Sequence, residues 1–325
     1  MIGPTKFCPQ GIGLILLDLD GTILVDGTQV RPRVLDAINL ARQHGCMVAV
    51  ASGRAHHMVP EMLRTPEAMD YLVCANGARV YDTISGIIYE RLMTREQVLA
   101  AMDALEPLGP GWNAFVGNHS YFEWRGLSYM VTGRIPLANG AKGKGSTQRS
   151  LHSAWILNFK GMGRKVRRVA RFGRRLIFNR EGMSQVHRLR PHIESCTEGI
   201  AKMGCSLPTP AACERAIATL QHMGDYEVAR MSLTELEITA KGVTKGTSAQ
   251  WLMDYLKIDP ACAVAIGDSE NDAPLAEVCG TFVAMADGDG RIKAVANDIC
   301  ETAYDDGVAR WLERAMAEAD GARNV

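Results

Sequence analysis

No run of about 18 uninterrupted apolar residues occurs in this sequence, so no segment has the length and character of a membrane-spanning helix. The opening residues, MIGPTKFCPQ, lack the basic segment, apolar core and small-residue cleavage site of a secretory leader. Together these absences remove the membrane class and make the cytoplasm the expected location. No C-x-x-C pair is found among the nine cysteines, Cys8, Cys46, Cys74, Cys196, Cys205, Cys213, Cys262, Cys279 and Cys300. An odd, dispersed set of this kind reads as reduced, mostly buried thiols. Internal repeats and low-complexity tracts are missing too, and so is any net charge, with 36 Lys+Arg against 36 Asp+Glu.

What is present is an ordinary globular composition, 47% apolar and 22% charged, which argues against disorder. At 325 residues the chain exceeds the ~250–300 at which one core usually divides, so two domains are expected. Short apolar runs alternate with helical periodicity from the start: a strand over 13–18, a helix over 32–44, a strand over 46–52, a helix over 55–65 and a strand over 71–75. Repeats of this length predict a parallel sheet with right-handed crossovers. The alternation lapses between about 83 and 240. It resumes with a helix over 245–256, strands over 261–267 and 281–285, and helices over 271–279, near 290–297 and over 306–318.

The fold class expected is therefore α/β: a discontinuous, Rossmann-like, doubly wound parallel-sheet core over 1–82 and 241–325, with 83–240 inserted as a second domain. Crossings are expected near Asp82–Thr83 and Thr239–Lys241. The insert holds 21 Lys+Arg against 13 Asp+Glu, so it carries +8 and the remainder −8 (15 against 23).

Chemistry-bearing residues fall where the core strands end. Asp18 and Asp20 follow the apolar run LILL and precede Gly21 and Thr22; Ser52, Gly53 and Arg54 close the second strand; Asn76 and Gly77 close the third. After the insert, Lys245 opens a helix and Asp268, Asn271 and Asp272 follow the fourth core strand. Each has a bland reading alone: turn formers, a helix cap, a solvated charge. Ligands of open parallel sheets, however, bind beyond the carboxyl ends of the strands, and there these residues gather a hydroxyl, a cation and two acidic clusters. Two carboxylates as close as Asp18 and Asp20 repel unless one is protonated or a cation sits beside them, a place suited to a hard, oxygen-binding ion such as Mg²⁺.

In this arrangement DLDGT (18–22), SGR (52–54), Lys245 in GVTKG and GDSENDAPL (267–275) resemble the four motifs of the haloacid dehalogenase superfamily. The NGA (76–78) and LEITAKGVTKG (236–246) flanking the insert are similar to its Cof-type branch, subfamily IIB, which carries a large α/β cap. The resemblance implies a phosphatase with Asp18 as nucleophile and Asp20 as general acid and base. It further implies Ser52 and Lys245 on the transferring phosphoryl group, with Thr22, Gly53, Arg54, Asn76, Gly77 and Asn271 lining its site. Mg²⁺ would be held by Asp18, the backbone carbonyl of Asp20 and Asp268, with Asp272 behind or through water. Asn271 would orient Lys245 or the phosphoryl group.

The implied partner is a small phosphorylated metabolite, a sugar phosphate or phosphorylated cofactor; neither nucleic acid nor membrane is expected. A phosphomutase of the same capped build, or a non-catalytic binding module, are the alternatives; the intact acids and Lys245 disfavour the second. Two stretches depart from the family pattern. Residues 285–288 read Met-Ala-Asp-Gly where many relatives carry Met-Gly-Asn-Ala, and the insert is long around 107–180. There GMGRKVRRVARFGRRL (161–176) places apolar residues at roughly helical spacing among its cations, and only Phe172 interrupts the charges. This reads as a solvated amphipathic cap helix, with attraction of a phosphorylated substrate or polyanion as the alternative and too few aromatics for a surface that stacks bases. The adjacent His56 and His57 should point apart and share no metal.

Overall fold

The buried strand β1 (Leu14–Leu17), whose four side chains are all fully covered, anchors the chain in a computed structural model describing residues 11–25, 27, 29–126 and 182–323. A strand apolar on both faces needs packing on both, and parallel neighbours with helices above and below provide it. β1 pairs in parallel with β4 (Met47–Ala51) on one side and β14 (Ala263–Gly267) on the other. The parallel series runs on through β5 (Tyr71–Cys74) beyond β4, and through β15 (Thr281–Met285) and β16 (Asp298–Cys300) beyond β14. An antiparallel hairpin, β6 (Arg79–Asp82) and β7 (Gly86–Glu90), completes the eight-stranded sheet beside β5.

Two apolar clusters sandwich this sheet. One joins alternate residues of β1, β4 and β14 to the helices Pro32–Gln43 and Gly307–Arg323; the other joins the opposite faces to the helix Lys245–Leu256. The discontinuous, doubly wound core is thus observed. β1 lies at the switch point, with chain segments before the insert on one side and after it on the other, so the carboxyl ends of β1, β4, β5 and β14 open on one crevice.

A second sheet of six strands stands on this end. Its order is β10 (Met183–Val186), β9 (His119–Glu123), β8 (Gly111–Val116), β11 (Ile200–Ser206), β13 (Glu235–Ala240) and β12 (Tyr226–Arg230). All its pairings are antiparallel except that of β9 with β10. It has its own apolar cluster, filled from the helices Arg95–Leu105 and Pro210–Met223.

Three expectations change. Residues 55–65 form two 3₁₀ turns, His56–Met58 and Glu61–Leu63, instead of a helix. Pro60 disfavours helical geometry at the residue before it, and Val59 is extended, which divides the segment. The crossing expected at Asp82–Thr83 is a hairpin turn held to the main sheet, where Thr83 N–H donates to Asp70 O at 3.1 Å. The chain stays on that sheet to Glu90 and joins the second where Met93 and Ile200 exchange backbone hydrogen bonds of 2.9 and 3.0 Å. Finally, Cys262 is in a disulfide bond, whereas Cys46, Cys74, Cys196, Cys205, Cys213, Cys279 and Cys300 are free thiols, all buried except the partly exposed Cys196.

Cys8 and the basic stretch 161–176 lie outside the described residues. The positive charge of the insert belongs to that undescribed part, since 127–181 holds 13 Lys+Arg and one Asp+Glu. The rest of the insert carries 8 against 12.

Candidate active site

Lys245 is the centre of the crevice. It occupies the first helical position after Thr244, whose hydroxyl accepts from Thr247 N–H at 3.0 Å while Thr247 reciprocates to Thr244 N–H at 3.0 Å. This box fixes where the helix begins and so where the lysine stem enters. Its ammonium donates to Asp18 Oδ1 and to Asp272 Oδ1, each at 2.7 Å. All three side chains are nearly or fully buried, at 1%, 4% and 0% exposure.

Burial disfavours charge on Lys245, but the Asp18 and Asp272 carboxylates outweigh it and hold its pKa above the usual lysine value. On Asp18 burial acts first and raises the pKa well above the usual carboxylate range; Lys245 opposes this, and Asp272 and Asp268 add to it. Burial followed by the Asp272 charge pushes Asp268 up to about 7. Three acids facing one internal cation leave the pocket short of positive charge.

Asp18, Asp268 and Asp272 bring ligand oxygens within 4.8 Å of one another. Asp272 is the least available, because its second oxygen accepts from Asp268 N–H and Ser269 N–H, both at 3.1 Å, and braces their loop. Asp268 Oδ1, by contrast, is buried with no hydrogen-bond partner among the described residues, and so is Thr22 Oγ1 four residues beyond Asp18. Buried polar atoms are rarely left unmatched in a native structure, and these two point to groups that arrive with a ligand. An unmatched carboxylate oxygen beside a second acid fits a hard divalent cation. Gly21, at φ +91°, permits this approach, since a Cβ there would run into the Asp268 carboxylate.

Asp20 is half-buried and gripped by Arg54, whose Nε and Nη2 donate to its two oxygens at 2.7 and 2.6 Å. Arg54 also donates to Gly27 O at 2.7 Å and Met58 O at 3.1 Å. Arg54, expected to line the phosphoryl site, commits its fork to Asp20 and fixes that carboxylate's orientation. Ser52 is buried one strand over, its hydroxyl accepting from Arg54 N–H at 3.2 Å.

The NGA loop packs on the helix that carries Lys245. Ala75, Asn76 and Gly77 all have positive φ, at 52°, 56° and 99°. The resulting turn brings Gly77 flat against the lysine helix, where Ser248 Oγ donates to Gly77 O at 2.5 Å. A Cβ at Gly77 would collide with the Thr244 carbonyl. Gly77→Ala combines that collision with a strained left-handed conformation and should cost roughly 2–5 kcal/mol. Thermal unfolding reads this directly, and a wild-type midpoint would show that the helix can shift away. Asn271 does not reach Lys245: its amide donates to Asn76 Oδ1 at 3.2 Å, and its own oxygen accepts from Ser269 Oγ at 2.8 Å.

Two residues of the second sheet reach this end without having been singled out in the sequence. Lys202 of β11 is buried, donates to Gly53 O at 2.5 Å and pairs with Glu237 of β13; Glu237 also accepts from Asn76 Nδ2 at 2.7 Å. Burial lowers the Lys202 pKa, with Glu237 opposing. A detectable signal was there, a single lysine inside IAKMGCS, seven consecutive buried positions. The divergent loop 285–288 lies against the acidic cluster, and Asp289 N–H, just after it, donates to Asp268 O at 2.9 Å. His56 and His57 do diverge, the first stacking on Tyr81 at 4.3 Å and the second meeting Ser120 Oγ at 3.0 Å.

Comparison with known proteins agrees with this geometry. The sequence pattern of the haloacid dehalogenase-like hydrolases matches residues 15–312, and the chain belongs to that family. It is similar to the 5-amino-6-(5-phospho-D-ribitylamino)uracil phosphatase YwtE of Bacillus subtilis, 24% identical over 93% of this chain and 98% of that protein. It is also similar to the pyridoxal phosphate phosphatase YbhA of Escherichia coli, 24% identical over 92% of this chain and 97% of the other. Among solved structures, a haloacid dehalogenase-like hydrolase from B. subtilis superimposes with a TM-score of 0.74 at 21% identity, covering 93% and 99% of the two chains. The subclass IIB sugar phosphatase BT4131 shares the fold with a TM-score of 0.67 at 16% identity, covering 93% and 98%.

Proposed function

We propose that the protein is a Mg²⁺-dependent phosphatase that hydrolyses a small phosphorylated metabolite through an aspartyl-phosphate on Asp18. The observation that carries this reading is the buried Asp18–Lys245–Asp272 set beside an unmatched Asp268 oxygen. A nucleophile, a fixed cation and an acidic ligand set converge there on one crevice. Asp18 attacks phosphorus, and the bond from phosphorus to the leaving oxygen breaks as Asp20 gives that oxygen a proton. Asp20, ionised again and held by Arg54, then takes a proton from water as its oxygen attacks the same phosphorus, which frees Asp18 and inorganic phosphate.

Lys245 and the hydroxyls of Ser52 and Thr22 bind the phosphoryl oxygens, on which charge accumulates in both steps. Asp18, the Asp20 carbonyl and Asp268 would hold Mg²⁺, which screens the attacking carboxylate from the negative phosphoryl group. Residues 1–82 and 241–325 form the catalytic core in this reading. The insert 83–240 is a cap over the leaving-group side, and the β6–β7 hairpin at its start remains attached to the core sheet. Three of the proteins named above, YwtE, YbhA and BT4131, are phosphatases of small molecules by name, which supports the substrate class.

Phosphate release from a panel of phosphorylated metabolites tests the reading. Activity should vanish with EDTA, return with Mg²⁺ and be poorly supported by Ca²⁺, which is larger and prefers looser coordination. Undiminished turnover after rigorous chelation would be incompatible with the ligand set.

A further inference from the structure

A fully buried lysine on the second sheet has no evident reason to face the core. The main sheet's chemistry is complete without it, and a buried ion pair is poor stabilisation, since an apolar pair of the same volume would serve the fold as well or better. Yet Lys202 and Glu237 point from β11 and β13 onto the loop that follows β4. Lys202 rests 4.7 Å above the Phe115 ring and donates to Gly53 O. A Cβ on Gly53 would lie 3.0 Å from Glu237 Oε2 and 3.4 Å from Lys202 Nζ. Gly53 separates Ser52 from Arg54, and Arg54 holds Asp20, so the pair braces the loop whose arginine orients the acid that protonates the leaving group. The charge of Lys202 is felt by both Asp20 and Lys245. From Glu237 a chain of hydrogen bonds runs through Asn76 and Asn271 to Ser269, next to Asp268.

We infer that Lys202 and Glu237 read the hydroxyls of the leaving group, and that the substrate is a neutral polyol or sugar monophosphate. This rests on the phosphatase reading and narrows its substrate. Among the described residues, two of the three Lys202 N–H groups are engaged, by Glu237 and Gly53 O, and Glu237 accepts two hydrogen bonds where a carboxylate can take about four. A donor and acceptors therefore stand side by side, the complement of a hydroxyl, which both gives and takes a proton. The pair is neutral as a unit. An anionic leaving group would meet Glu237, a cationic one Lys202, and an aryl group would supply no partner to either. A site built to hydrogen-bond a hydroxyl discriminates strongly against an analogue lacking it, because its own buried groups then go unmatched.

The test is the kcat/KM of wild type, Lys202→Met and Glu237→Gln with ribitol 5-phosphate, 2-phosphoglycolate and p-nitrophenyl phosphate. Wild type should prefer ribitol 5-phosphate to 2-phosphoglycolate. In each variant the ratio of kcat/KM for ribitol 5-phosphate to that for p-nitrophenyl phosphate should fall about 10- to 100-fold, the scale of a lost hydrogen bond to a charged group. If Lys202→Met does not fold, Glu237→Gln, which keeps the shape and one acceptor, carries the test. A parallel fall on all three substrates would assign the pair a structural role and overturn the inference. So would a wild-type preference for 2-phosphoglycolate, although the phosphatase reading would survive either result. Absence of phosphate release from all three by wild type would remove the phosphatase reading, and the inference with it.

Discussion

Asp18→Asn should abolish turnover, by a factor on the order of 10⁶, the scale on which losing a nucleophile acts in other hydrolases. The amide nearly matches the carboxylate in shape and can still accept from Lys245, but it cannot attack phosphorus. Stability should not fall with activity. Burial and two neighbouring acids oppose the ionised Asp18 carboxylate, so removing one negative charge from a pocket with three acids and one lysine relieves repulsion. The unfolding midpoint without added metal should match or exceed that of wild type, a trade of stability for function common at active sites. Asp20→Asn should act more mildly, slowing both half-reactions by ~10²–10⁴-fold, as loss of a general acid and base does. Measurable wild-type turnover by purified, folded Asp18→Asn protein would sink the assignment of the nucleophile.

How far the sequence disclosed this site depended on what held each residue. Asp18, Ser52, Asn76 and Asp268 were legible because each follows an apolar run, and a parallel sheet delivers strand ends to one crevice whatever the details of its packing. Arg54 and Asn271 fall in the expected neighbourhood, and the partners they find among the described residues, Asp20 for one and Asn76 and Ser269 for the other, were not foreseen. Which side chain a guanidinium or an amide finds is decided by loop conformation, which periodicity does not encode. The helix expected over 55–65 failed for a local reason that was visible, Pro60, outweighed by apolar spacing that suited a helix. The second sheet was legible only as an interruption. Its strands pair across long separations, β8 with β11 and β11 with β13, and the register that aims Lys202 and Glu237 together is a property of the assembled sheet. The insert's basic balance resides in 127–181, outside the described residues, and the rest of the insert holds 8 Lys+Arg against 12 Asp+Glu.

Lys245→Met should damage both fold and function, and the two losses can be separated. Met fills a similar volume but leaves Asp18 and Asp272 without the cation they share. Removing one partner from a buried ionic set typically costs ~3–5 kcal/mol, because the remaining charges stay out of water uncompensated. At the ~2–4 °C per kcal/mol usual for a domain of 150–250 residues, the unfolding midpoint should drop by about 10 °C. Turnover should fall at least ~10²–10³-fold, since a fixed cation aimed at the phosphoryl oxygens is lost. Adding Asp272→Asn to Lys245→Met removes one stranded charge and should recover part of the midpoint while recovering none of the activity. Mg²⁺ should raise the midpoint of Lys245→Met more than that of wild type, because the acids that lost their internal cation then bind an external one more strongly. If Lys245→Met unfolded at the wild-type temperature and Mg²⁺ shifted both proteins equally, the lysine would not be the charge that holds the acidic cluster together. The site would then need another source of positive charge, and Asp18 would lose the partner that positions it for attack.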